Sequence, residues 1–286
     1  MSITGNLSGR TVLVPGGTGN VGEGVVRALL SGGATVIVPS RSQDRLDLLK
    51  KLVGPELTEK LICYVTSYES FAEADALATR IFSEVGGVTD VVPLIGGWWG
   101  GKALWDITAE DWQKVFVSPA TTQMALLRSF FPKLPAHGTY TTIAGFSSYQ
   151  PVPGSGPVSM QGAAQLMMRK ALSAEVQSGP RINDVMLGPI INRSRPQGRK
   201  DWLDADQVGH VIDAIKKIGN PVKIEEVAGA LGHPGRYPAH LQVHVIGPHM
   251  GFQRRRELGA FGLEHGNEVL DAQRVQRLAA EALGHE

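Results

Sequence analysis

Residues 12–24 read Val-Leu-Val-Pro-Gly-Gly-Thr-Gly-Asn-Val-Gly-Glu-Gly, and no other stretch restricts the fold of the chain so tightly. A short β-rich run ends in a turn carrying Gly16, Gly19 and Gly22 at a G-x-x-G-x-x-G spacing. A helical pattern follows, with Val21, Val25, Ala28 and Leu29 at helical intervals. Glycine supplies positive φ and lets backbone amides come close to an anion. The helix that follows aims its free N–H groups and partial positive charge at the same point. A strand, this turn and a helix at the head of the first βαβ unit form the arrangement that cradles a dinucleotide diphosphate, here over Gly16, Thr18, Gly19, Asn20, Val21 and Gly22.

The rest of the chain supports that reading. Short apolar runs at 11–14, 34–38, Leu61–Val65, 90–95, 139–144 and Arg181–Leu187 predict strands, with Leu241–Ile246 as a seventh. Between them 21–31, 43–52, 70–85, 108–131, 159–177 and 204–217 predict helices. The alternation predicts an α/β fold: a doubly wound, mostly parallel sheet of Rossmann type with helices on both faces. Residues 1–250 form one domain in this reading. Residues 251–286 are a C-terminal extension, whose helix at 267–283 packs on the same domain or on a partner subunit.

Composition narrows the class. At 286 residues the chain can bury a sizeable core. A net charge of +1 gives no support to a nucleic-acid or polybasic membrane partner. One cysteine, Cys63, cannot form an intrachain disulfide. The longest apolar-looking stretch, 88–99, is interrupted by Asp90, Pro93, Gly96 and Gly97 and is too short to span a bilayer. No secretory leader is read at the start, so a cytoplasmic location is expected. His240 and His244 stand four apart, but on a strand that separates them by about 13 Å, so no metal site is expected.

The end of the second strand selects the nucleotide. A carboxylate there would accept ribose hydroxyls and suit NAD. The chain instead reads Val38-Pro39-Ser40-Arg41-Ser42. Arg41 can make a charge-assisted contact to a 2′-phosphate and Ser40 can add a hydroxyl, which favours NADP(H) over NAD.

From about residue 7 to 247 the sequence resembles the short-chain dehydrogenase/reductase family. The turn at 15–22 is similar to its phosphate-binding turn, with Pro15 in place of the usual threonine. Asp90-Val91-Val92-Pro93-Leu94-Ile95-Gly96-Gly97 resembles its fourth-strand segment, with Pro93 and Leu94 where asparagines are usual. Leu187-Gly188-Pro189-Ile190 resembles the segment after its sixth strand. The resemblance implies that the nicotinamide lies between Gly96, Gly97 and the 188–190 segment. It also implies a homodimer or homotetramer formed through helices 108–131 and 159–177.

The family's Asn, Ser, Tyr and Lys do not carry over. Their positions fall on Ser118, Gly145, Val158 and Gly162. Neither Val158 nor Gly162 can donate a proton or carry charge, so ordinary alcohol–carbonyl chemistry is not expected. The hydroxyls nearest the lost groups are Ser147, Ser148 and Tyr149, with Tyr149 the best proton donor by chemistry; all three also read as ordinary loop residues. Trp98 and Trp99, flanked by glycine pairs, read either as a stacking surface for a flat or apolar small molecule or as packing residues. Lys102 reads as a contact to an anionic group or as a solvated lysine. Three functions stay open: an NADP(H)-dependent oxidoreductase with a non-standard site, a catalytically inactive NADP(H)-binding sensor or regulator, and a non-redox isomerase or cyclase.

Overall fold

A computed structural model describes residues 6–199, 202–217 and 241–246, the last six by their backbone. Seven strands form the main sheet: β1 (Thr11–Leu13), β2 (Thr35–Ser40), β3 (Leu61–Val65), β4 (Asp90–Val91), β5 (Thr139–Gly145), β6 (Arg181–Leu187) and β9 (Leu241–Ile246). Their order is β3-β2-β1-β4-β5-β6-β9. All neighbours are parallel except β9, which runs antiparallel to β6. Two short strands, β7 (Ile190–Ile191) and β8 (Leu203–Asp204), pair beside it. The helices are α1 (Gly22–Ser31), α2 (Gln43–Val53), α3 (Phe71–Val85), α4 (Ala109–Trp112), α5 (Ser118–Phe130), α6 (Gly156–Glu175) and α7 (Ala205–Lys217). The doubly wound sheet expected from the alternating pattern is present.

Strand periodicity divides the core between the two faces. Val12, Val36 and Val38 pack with Val25, Val26 and Leu29 of α1 and with Val208, Val211 and Ile212 of α7. Leu13 and Ile37, one residue on, point the other way and pack with Leu77 and Ile81 of α3, Leu126 and Phe130 of α5, and Tyr140. Side chains this size contribute about 1.5–3 kcal/mol each when fully buried. Helices α1 and α7 cross very closely. A Cβ on Gly24 would overlap the Ala205 carbonyl, and one on Gly209 would lie 2.7 Å from the Gly24 carbonyl carbon.

Two elements differ from expectation. The strand expected at 90–95 is regular only over Asp90–Val91. Pro93 has no amide to give the ladder, although Leu94 N still donates to Pro15 O at 2.8 Å. The single helix expected at 108–131 is interrupted by a π-helical turn, Gln113–Val117. Pro119 cannot donate to the carbonyl one turn back and its ring crowds that carbonyl, which widens the turn. The C-terminal helix expected at 267–283, His240 and the 251–286 extension lie outside the described residues.

Candidate functional site

The glycine turn sits at the carboxyl edge of β1. Gly16 has φ +81°, which favours glycine, and a Cβ there would overlap the Leu94 carbonyl oxygen and lie 2.9 Å from its carbon. Gly22 is packed against the turn itself, with a Cβ 2.7 Å from the Gly17 carbonyl carbon. Gly17 N donates to Val14 O at 3.0 Å and Gly19 N to Gly16 O at 2.9 Å. Among the described residues the amides of Thr18, Asn20 and Val21 have no protein acceptor. These free donors lead into the N-terminus of α1, where anions are stabilised. The residues fit a diphosphate.

Three contacts to this turn were not legible in the sequence. The Tyr68 hydroxyl accepts from Gly16 N at 3.1 Å and ties the segment after β3 to the turn. Asn20 Nδ2 reaches Ser194 Oγ at 2.5 Å. Arg193 pairs at 3.1 Å with Glu23, the buried acid in the first turn of α1. Arg193 thus balances a carboxylate that would otherwise repel a bound phosphate.

At the end of β2, Ser40 is buried and its Oγ accepts from Ser42 N at 3.2 Å. Arg41 is 63% exposed and pairs with Glu69 at 2.7 Å. The partner of the exposed guanidinium in the structure is thus a carboxylate on the segment after β3.

In the loop after β4, Gly96 has φ +117°, whereas a Cβ on Gly97 would meet nothing. Gly188 and Pro189 lie between β6 and β7, and Ile190 is buried in the α1–α7 core, so its side chain does not line an open site. Trp98 is 64% exposed, which excludes core packing for it; Trp99 is half-buried. Trp105, which the sequence did not single out, is 87% exposed. Lys102 pairs with Asp111, the residue that also caps the start of α4. Gly101 N donates to Gly154 O at 2.9 Å, joining the loop after β4 to the loop before α6.

The expected catalytic positions are drawn together around β5 and α6. Ser118 Oγ accepts from Gln113 Nε2 at 3.2 Å, across the π-helical turn. Gly145 ends β5, and Ser147 Oγ lies 3.4 Å from a Cβ built on it. Ser148 Oγ donates to Gly145 O at 2.7 Å and occupies the space over Gly162, where a Cβ would overlap it. Val158 is half-buried in the first turns of α6. Tyr149 is 42% exposed, and burial followed by the Asp184 charge raises its phenol, which makes it a weaker acid. A tyrosine tuned for proton transfer would be shifted the other way.

Beneath these positions α6 carries a buried polar stripe at four-residue intervals: Gln161, Gln165 and Arg169. Gln165 donates to Ile143 O at 3.1 Å and accepts from Gln123 at 3.3 Å. Arg169 pairs with Asp184 of β6, which also accepts from Thr142. Burial pushes the Asp184 carboxyl up to about 6 even with the guanidinium beside it. Among the described residues there is no group of three or more His, Cys, Asp or Glu that could hold a metal ion. No helix there is long and apolar enough to cross a membrane.

Residues 17–232 match the family model described as enoyl-(acyl carrier protein) reductase. An uncharacterized oxidoreductase of Escherichia coli (strain K12), YghA, is 26% identical over 255 residues, 87% of this chain and 85% of its own. Dehydrogenase/reductase SDR family member 4 of Bos taurus is 27% identical over 232 residues, 78% of this chain and 79% of its own. Among solved structures, an alcohol dehydrogenase from the archaeon Thermococcus sibiricus, complexed with 5-hydroxy-NADP, superimposes with a TM-score of 0.66. It is 17% identical, covers 75% of this chain and 93% of its own, and shares the fold.

Proposed function

The chain belongs to the short-chain dehydrogenase/reductase family, and from that premise we propose that it is an NADP(H)-dependent oxidoreductase with a non-standard active site. The observation that carries the reading is the glycine turn, whose amides at Thr18, Asn20 and Val21 have no protein acceptor among the described residues and lead into the N-terminus of α1, with Arg41 following β2. The backbone amides and the N-terminus of α1 hold the diphosphate. Arg41 and Ser40 select the 2′-phosphate, and Gly96 with the backbone of the 188–190 segment borders the nicotinamide. A bound reduced dinucleotide supplies a hydride.

The protein's own residues then bind, orient and shield a small molecule. The exposed indoles of Trp98 and Trp105 suit a flat or apolar one. Val158 and Gly162 offer no titratable group, so the proton comes from solvent or from the substrate. The same two positions favour a second reading, an NADP(H)-binding sensor or regulator without turnover. A non-redox isomerase or cyclase would use the same pocket. A homodimer or homotetramer through α5 and α6 fits the exposed Met124, Met160 and Met167.

Titration with NADPH and with NADH, followed by dinucleotide fluorescence, tests the reading. Saturable binding with NADPH preferred is expected. No binding at millimolar dinucleotide overturns it. NADPH oxidation across a panel of carbonyls and activated alkenes separates the enzyme from the sensor.

A further inference from the structure

Gln161 stands on the first turns of α6, three residues after Val158, so it shares a helix face with that position. Its side chain is only 8% exposed. Its Oε1 lies 3.4 Å from a Cβ built on Gly96, which places the amide against the loop after β4. Its Nε2 is buried and has no hydrogen-bond partner among the described residues. A buried amide donor left unmade costs about 1–3 kcal/mol. Leucine or methionine would fill this position at no such cost, and Gln165, one turn on, has both of its amide atoms engaged.

We propose that Gln161 is a substrate-binding residue whose Nε2–H donates to the oxygen of a conjugated carbonyl compound, an enone or a quinone, bound at the Gly96 loop. The proposal rests on the oxidoreductase reading above. The chemistry of the donor selects the substrate class. An amide can hold an oxyanion but cannot give up a proton to it, so it suits an acceptor whose anion is delocalised. A hydride arriving with both its electrons forms a C–H bond at the electrophilic carbon of the acceptor. The displaced π pair moves through the conjugated system onto oxygen, which Nε2–H holds. Solvent water then protonates the enolate or phenolate and leaves hydroxide, while the reductant, the reduced dinucleotide, is oxidised by two electrons. A saturated ketone would give a localised alkoxide that needs an acid the site does not hold.

The test uses the full chain and binding as well as turnover. Calorimetry measures para-naphthoquinone binding in the presence of oxidised NADP, where no reduction occurs, for the wild type, Gln161→Met and Gln161→Glu. Quinone affinity is expected to fall about 10–100-fold in Gln161→Met, with NADPH affinity unchanged and the thermal midpoint raised, because the unmade buried donor is removed. In Gln161→Glu the loss is expected at neutral pH and reversed as the carboxyl is protonated in acid. Wild-type turnover is expected with para-naphthoquinone or cyclohexenone and not with cyclohexanone. Unchanged quinone binding in Gln161→Met overturns the proposal, as does a loss confined to NADPH affinity or wild-type reduction of cyclohexanone. Failure of the wild type to bind NADPH is a different result and removes the oxidoreductase reading itself.

Discussion

The hydroxyl of Ser148 fills the space over Gly162: a Cβ built on Gly162 would overlap Ser148 Oγ and lie 3.0 Å from Ser148 Cβ. The position where the family pattern expects a lysine is therefore closed by the short turn Phe146–Ser148. Gly162→Lys alone is expected to destabilise the protein by about 1–3 kcal/mol, the usual cost of overpacking. Ser148→Gly in the same chain is expected to recover most of it. Urea denaturation of the single and double variants checks this. Equal loss in both would mean that Ser148 is not the obstruction.

Arg169 and Asp184 form a buried ion pair between α6 and β6. Removing one partner strands the other charge. Arg169→Met is expected to cost about 3–5 kcal/mol, and Arg169→Met with Asp184→Asn much less. The pair also has a pH signature. The folded Asp184 value, about 6, lies above its ordinary 3.8. The native state therefore binds more protons between them, and this group's contribution to stability falls as pH rises through that window. Comparing urea midpoints of the wild type and the double variant across that range isolates the slope.

Lys216 is fully buried at the opposite, amino end of the strands, 3.4 Å from Asp90 and 2.7 Å from Thr139 Oγ1. Arg10 shares Asp90 at 2.8 Å. Burial pushes the Lys216 ammonium down to about 8 from 10.5, against the pull of Asp90. Between these values the unfolded chain binds more protons, so stability is expected to rise with pH through the window. Lys216→Met is expected to flatten that rise. Denaturant midpoints measured on either side of the window decide it.

Arg41 and Glu69 make an exposed ion pair worth at most about 1 kcal/mol. A 2′-phosphate can displace it. Arg41→Ala is expected to weaken NADPH about tenfold, in line with the loss of a charge-assisted bond, and to leave NADH unchanged. Glu69→Gln is expected to tighten NADPH by freeing the guanidinium. Fluorescence titrations with both dinucleotides read the two effects, and weakened NADPH binding in Glu69→Gln would refute the competition.

The sequence by itself determined the alternating fold, the glycine turn and most element boundaries. These follow from local rules: strand and helix periodicity, and glycine where backbone must pass backbone. Gly16, Arg41 and the six parallel strands were legible for that reason. Which groups meet was decided only by tertiary structure. Tyr68 on Gly16, Arg193 on Glu23, Arg41 on Glu69 and Lys216 on Asp90 join residues about 28 to 170 positions apart, and no local pattern encodes such pairings. Gly162 illustrates the boundary. The sequence marks it as a missing lysine, and only packing explains the glycine, because Ser148 already stands where any side chain would begin.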